Sequence, residues 1–144
     1  MIGILLVTHG PMGRAMLDSA EMIVGKQKNV QAVALTPEAN LDTLRQEVKL
    51  AASRVDAGQG VLVLVDLFGG TPANAVASNL PAHAYRCLCG VNLPMLLEAL
   101  ETRGRMALPE LAAHVEEIAC QSVVNLNTAL ERALRGDMPQ VGKR

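Results

Sequence analysis

Two ionisable side chains stand where the two most apolar runs of the chain stop. His9 follows Ile2-Gly3-Ile4-Leu5-Leu6-Val7-Thr8, and Asp66 ends Gly60-Val61-Leu62-Val63-Leu64-Val65-Asp66. A carboxylate beside an imidazole accepts the Nδ1–H, fixes the tautomer and steadies the cationic ring, leaving Nε2 outward as nucleophile or base. Asp66 is followed by Leu67-Phe68-Gly69-Gly70-Thr71-Pro72. Gly69 and Gly70 allow a tight turn, Thr71 can cap a helix, and Pro72 suits a first helical position. The free N–H groups of such a helix start can hold an anion. Histidine, orienting carboxylate and anion-binding turn together describe phosphoryl transfer through a phosphohistidine.

That chemistry needs His9 and Asp66 to meet, so the elements that carry them matter next. Both runs are nearly continuous Ile, Leu and Val, the pattern of parallel strands covered on both faces. Residues 30–35 and 84–89 read as two further strands, the first closed by Thr36-Pro37. Between them, residues 14–24, 41–55, 71–80 and 95–103 repeat apolar positions at helical spacing. Alternating strands and helices imply right-handed crossovers and a three-layer, doubly wound α/β sheet. The common order 2-1-3-4 makes the first and third strands neighbours, which sets His9 beside Asp66 at the topological switch point. Asn92, in the loop Gly90-Val91-Asn92-Leu93-Pro94, joins the same sheet edge, where it either makes the turn or lines the site. From Pro109 onward the pattern fits either one long helix or a helix, a short strand at residues 122–126 and a second helix.

Composition narrows the class. The 144 residues suit one domain, residues 1–136, with 137–144 as a flexible C-terminal tail. Thirteen basic residues against fourteen acidic ones give a net charge of −1, which offers nothing to nucleic acid or an anionic membrane. No apolar run approaches the roughly 18 residues of a membrane span, so a cytoplasmic protein without membrane insertion is expected. Three cysteines make neither a disulfide framework nor a zinc knuckle; Cys87, Cys89 and Cys120 read as core thiols. His83 and His114 carry no expected chemistry.

Three separated blocks carry a more specific signal: Val7-Thr8-His9-Gly10, the stretch from Val65-Asp66 through Gly69-Gly70-Thr71 to Asn74-Ala75, and Gly90-Val91-Asn92-Leu93-Pro94-Met95. Over roughly residues 1–126 the chain resembles the enzyme IIA domains of the mannose class of the bacterial phosphoenolpyruvate-dependent sugar phosphotransferase system (PTS). The resemblance implies that His9 accepts a phosphoryl group on Nε2 from the phosphocarrier HPr and passes it to a IIB domain. Asp66 is then its hydrogen-bonded partner, with no cofactor and no metal. Thr8, Gly10, Phe68, Gly69, Gly70, Thr71 and Asn92 are the candidates for phosphate or partner contact. Phe68 is either tucked against the sheet or exposed for a partner such as HPr. The resemblance also implies a homodimer whose sheet gains a short antiparallel fifth strand, exchanged between subunits. Residues 122–126 are the candidate, which selects helix, strand, helix there. Pro11 departs from the bulky aromatic that can follow the His-Gly, and a IIA protein without a fused IIB domain is expected. Members that stand alone can serve truncated relays, where the phosphorylation state itself regulates.

Two other His-Gly chemistries compete. A tetrapyrrole metal chelatase also opens on an apolar strand ending in His-Gly, but needs a second ligand across the cleft. A histidine phosphatase has arginine before its His-Gly, where this chain has Thr8.

Overall fold

The computed structural model describes residues 1–78, 81 and 84–136; His83 and the tail at 137–144 lie outside the described residues. The elements run β1 (Gly3–His9), α1 (Met12–Val24), β2 (Val30–Leu35), α2 (Leu41–Val55), β3 (Val61–Val65), α3 (Thr71–Ala77), β4 (Tyr85–Cys89), α4 (Leu93–Thr102), α5 (Leu108–Gln121) and α6 (Leu126–Leu134). Every strand pair is parallel and the order is β2-β1-β3-β4, as expected from the alternation of strands and helices.

The two apolar runs become the two central strands. Gly3 through Thr8 of β1 and all of β3 are buried. Their alternation divides the interior into two layers. Ile4, Leu6, Leu62 and Leu64 pack with Leu17 of α1, Leu96 of α4 and Leu111 of α5. Leu5, Val7, Val63 and Val65 pack on the opposite face with Leu44 and Val48 of α2 and Ala75 and Val76 of α3. Each such large side chain contributes about 1.5–3 kcal/mol relative to exposure. The central strands are therefore firmly placed, and the loops at their ends inherit that placement.

Strand register sets the site. Val7 lies opposite Val65, and His9 opposite Leu35 of β2. β1 thus runs through His9 itself, at its carboxyl end. That pairing fixes the backbone of His9 in the sheet instead of leaving it in a loop.

The expected fifth strand is absent from the sheet of this chain among the described residues. Residues 122–125 link α5 to α6 and pair with no strand, and Leu126 already begins α6. Val123 and Val124 favour extended backbone, but propensity makes no strand without a ladder partner. Both are exposed, and α6 buries none of its residues.

Candidate functional site

Parallel pairing of β1 with β3 places the residues that leave their carboxyl ends side by side. Nδ1 of His9 lies 2.6 Å from Oδ2 of Asp66, and the main-chain N–H of His9 donates to the same oxygen at 2.8 Å. The N–H of Leu67 donates to Oδ1 at 2.9 Å. Burial pushes the Asp66 carboxyl up, but the main-chain and ring hydrogen bonds from His9 and the one from Leu67 outweigh it, and the group sits below the usual aspartate range. An ionised carboxylate only accepts, so the ring proton belongs on Nδ1 and the lone pair on Nε2. Access differs sharply within the pair: the Asp66 side chain is 7% exposed and that of His9 48%. The arrangement presents an oriented nucleophilic nitrogen to solvent over a buried anion.

The other candidates divide. Gly10 turns the chain out of β1 at φ +55°, its N–H held by the Leu35 carbonyl. Gly69 adopts φ +88°, which a side chain would strain, and Gly70 then runs alongside the His9 ring. Thr71 is the first residue of α3 and does not cap it: Gly70 holds the cap position, with no side-chain hydrogen bond closing the helix start. Phe68 is 88% exposed in this loop, the outward of its two alternatives.

Thr8 and Asn92 are not brought to the imidazole as ligand-facing groups. Thr8 is fully buried, and its hydroxyl accepts from the Gly13 N–H at 2.9 Å and donates to the Gly10 carbonyl. It braces the turn that follows His9. Asn92 caps α4 by accepting from the Met95 N–H, and its amide nitrogen donates to Ser122 Oγ at 3.2 Å. Both ends of its side chain are occupied by the fold.

The sequence reading missed two features of this edge. Met12, at the start of α1 and three residues after His9, and Leu67 and Phe68, directly after Asp66, are exposed apolar residues at this sheet edge. A groove of about 750 Å³ also runs from Phe68 and Gly69 along β4, the edge strand among the described residues, to Ala119 and Cys120 of α5. Cys87 and Cys89 are half-buried there, and burial pushes the Cys87 thiol up to about 12. Cys120, expected in the core, is exposed on α5. Among the described residues no three metal-binding side chains converge, and the group facing His9 is a carboxylate already taken by three N–H donors. The second ligand of a chelatase is not supplied by Asp66.

A doubly wound α/β domain with a histidine–aspartate pair at its switch point is the class that this geometry defines. Residues 3–116 match the family model EIIA-man, described as the PTS system fructose IIA component. The PTS fructose-specific EIIA component of Bacillus subtilis is 35% identical over 133 residues, covering 92% of this chain and 91% of that protein. The PTS mannose-specific EIIAB component of Escherichia coli is 38% identical over 103 residues, or 71% of this chain and 32% of that longer protein. Among solved structures, the mannose/sorbose-specific IIA subunit from Enterococcus faecalis superposes with a TM-score of 0.74 at 32% identity, covering 98% of both chains. An EIIA component from Streptococcus agalactiae gives 0.80 at 28% identity, covering 89% of this chain and 99% of that one. The chain belongs to the mannose-class EIIA family of the sugar phosphotransferase system. No helix among the described residues is long and apolar enough to cross a membrane.

Proposed function

We propose that this protein is a phosphocarrier: Nε2 of His9 takes a phosphoryl group from phospho-HPr and delivers it to a IIB domain. The observation that carries the reading is the 2.6 Å contact of Nδ1 with Asp66, which leaves Nε2 as the exposed nitrogen. In the transfer, the P–N bond to the donor histidine breaks as a P–Nε2 bond forms, and the donor ring leaves with the electron pair. The ring of His9 gains positive character as its lone pair is spent, and the Asp66 carboxylate balances it across the hydrogen bond. Delivery to IIB is the same exchange with His9 as the leaving group.

The exposed Met12, Leu67 and Phe68 suit protein partners, because a macromolecular donor must seat around the imidazole before phosphorus can reach it. Membership of the mannose class supports HPr and IIB as those partners. The cytoplasm, where phosphoenolpyruvate is made, is the matching compartment. The second copy of the chain belongs to the same proposal: residues 122–126 of each subunit add to the edge of β4 in the other.

Incubation with phosphoenolpyruvate, enzyme I and HPr is expected to add one acid-labile, base-stable phosphate per chain, followed by mass spectrometry. His9→Ala abolishes it. Labelling that persists in this variant, or that never occurs in the wild type, overturns the assignment.

A further inference from the structure

We infer that Gly70 is a positioning residue: its missing side chain sets the clearance that keeps the His9 ring on Asp66 and its Nε2 open. The inference rests on the phosphocarrier reading and assigns a second determinant of it. A Cβ placed on Gly70 would lie 3.1 Å from Cε1 of His9 and 3.7 Å from Nε2. Ordinary contacts between carbon atoms fall at about 3.5–4.0 Å. The backbone of Gly70, at φ −86° and ψ 174°, is open to any residue. Space, not conformation, is therefore what selects glycine here, in contrast to Gly69.

Neither side of this contact yields easily. The carbonyl of Gly70 accepts the first hydrogen bond of α3, from the Asn74 N–H at 3.0 Å, and Pro72 behind it is buried. On the other side, His9 is tied to Asp66 through both its main-chain N–H and its ring. A methyl at position 70 must therefore push the imidazole by a few tenths of an ångström against a short charge-assisted bond. A branched side chain adds γ-carbons to a Cβ already 3.7 Å from Nε2, the nitrogen that phosphorus would approach. Substitution should damage transfer in order of side-chain size while leaving the fold intact.

The test is the series Gly70→Ala and Gly70→Val in the full-length protein. Phosphorylation by phospho-HPr is expected to slow about tenfold for Gly70→Ala and a hundredfold or more for Gly70→Val, falling on kcat more than on KM. Melting temperatures should stay near that of the wild type. Nitrogen-15 NMR of the His9 ring supplies a readout that needs no phosphate: the wild type shows protonated Nδ1, and the variants show a weakened Nδ1–H hydrogen bond. Wild-type rates and an unchanged ring spectrum in both variants overturn the inference, as does a loss of rate that only tracks a loss of stability. If Gly70→Val fails to fold, Gly70→Ala decides by the same spectrum. A wild type that takes no phosphate sinks the phosphocarrier reading instead, and the ring spectra still decide the clearance.

Discussion

The two oxygens of Asp66 receive three donors: the N–H and Nδ1–H of His9 on Oδ2 and the N–H of Leu67 on Oδ1. An amide cannot satisfy them, because its single oxygen serves either His9 or Leu67 and its NH₂ then faces a donor. If the NH₂ turns to the ring, Nδ1 must accept and the proton moves to Nε2, the nitrogen that should react. Asp66→Asn is expected to fold, to cost about 1–3 kcal/mol through the unmet donor, and to slow phosphorylation of His9. An orienting carboxylate is worth up to about 10⁴ in a buried triad; with His9 half exposed, roughly 10- to 100-fold is expected, read from the rate of phosphate uptake. The variant also changes the acid limb of stability. Asp66 is held below its unfolded pKa, so its stabilisation is complete above the unfolded value and disappears as pH falls through the folded one. Urea midpoints between about pH 7 and pH 3 should fall more steeply in the wild type than in Asp66→Asn; parallel profiles would deny the coupling. His9 and Asp66 were legible because both end apolar strands whose order follows from topology. Thr8 was misjudged although the signal existed: with period two, it shares the α1 face with Ile4 and Leu6, while His9 shares the α3 face with Leu5 and Val7.

Elements were legible wherever apolar periodicity was strong, and illegible where main-chain groups did the holding. Arg103, just after α4, is a cation at a helix end, yet it is 3% exposed. Its guanidinium donates to the carbonyls of Ile2, Lys28 and Asn29 and to the side-chain oxygen of Gln27, at 2.7–3.3 Å. It ties the end of α4 to the start of β1 and the loop before β2. Those partners are 74 to 101 residues away, and carbonyls leave no mark in a sequence. Burial lowers the guanidinium pKa without discharging it. Arg103→Met keeps the stem but strands these oxygens, and a loss of about 2–4 kcal/mol is expected from the urea midpoint. Because Arg103 lies at the opposite end of β1 from His9, the folded variant should accept phosphate at the wild-type rate. A normal midpoint would show that water replaces the guanidinium at no cost.

At the scale of the whole molecule, the unexplained surface lies at the far end of the chain. Val123, Val124, Leu126, Leu130 and Leu134 are all exposed, and the last three recur every four residues along one side of α6. A helix that buries nothing against its own domain has little reason to stay folded alone, since short isolated helices are marginal in water. Among the described residues β4 is an edge strand, and the groove beside it presents the complementary need: a strand edge next to an apolar trough. Exchange of residues 122–126 between two copies would meet both at once, and a stable interface of this kind buries about 1,600 Å². This part of the sequence supports a strand or a helix end equally well, and only a second molecule can select between them. The expected result is twice the chain mass in light scattering at about 10 μM, a concentration at which interfaces of that size persist. Val124→Asp combined with Leu130→Glu places charge in the apolar contact and should give a monomer with an intact sheet, because neither residue belongs to either core layer. A monomeric wild type would leave the exposed face of α6 without its proposed partner, and a double variant that stays dimeric would place the contact elsewhere.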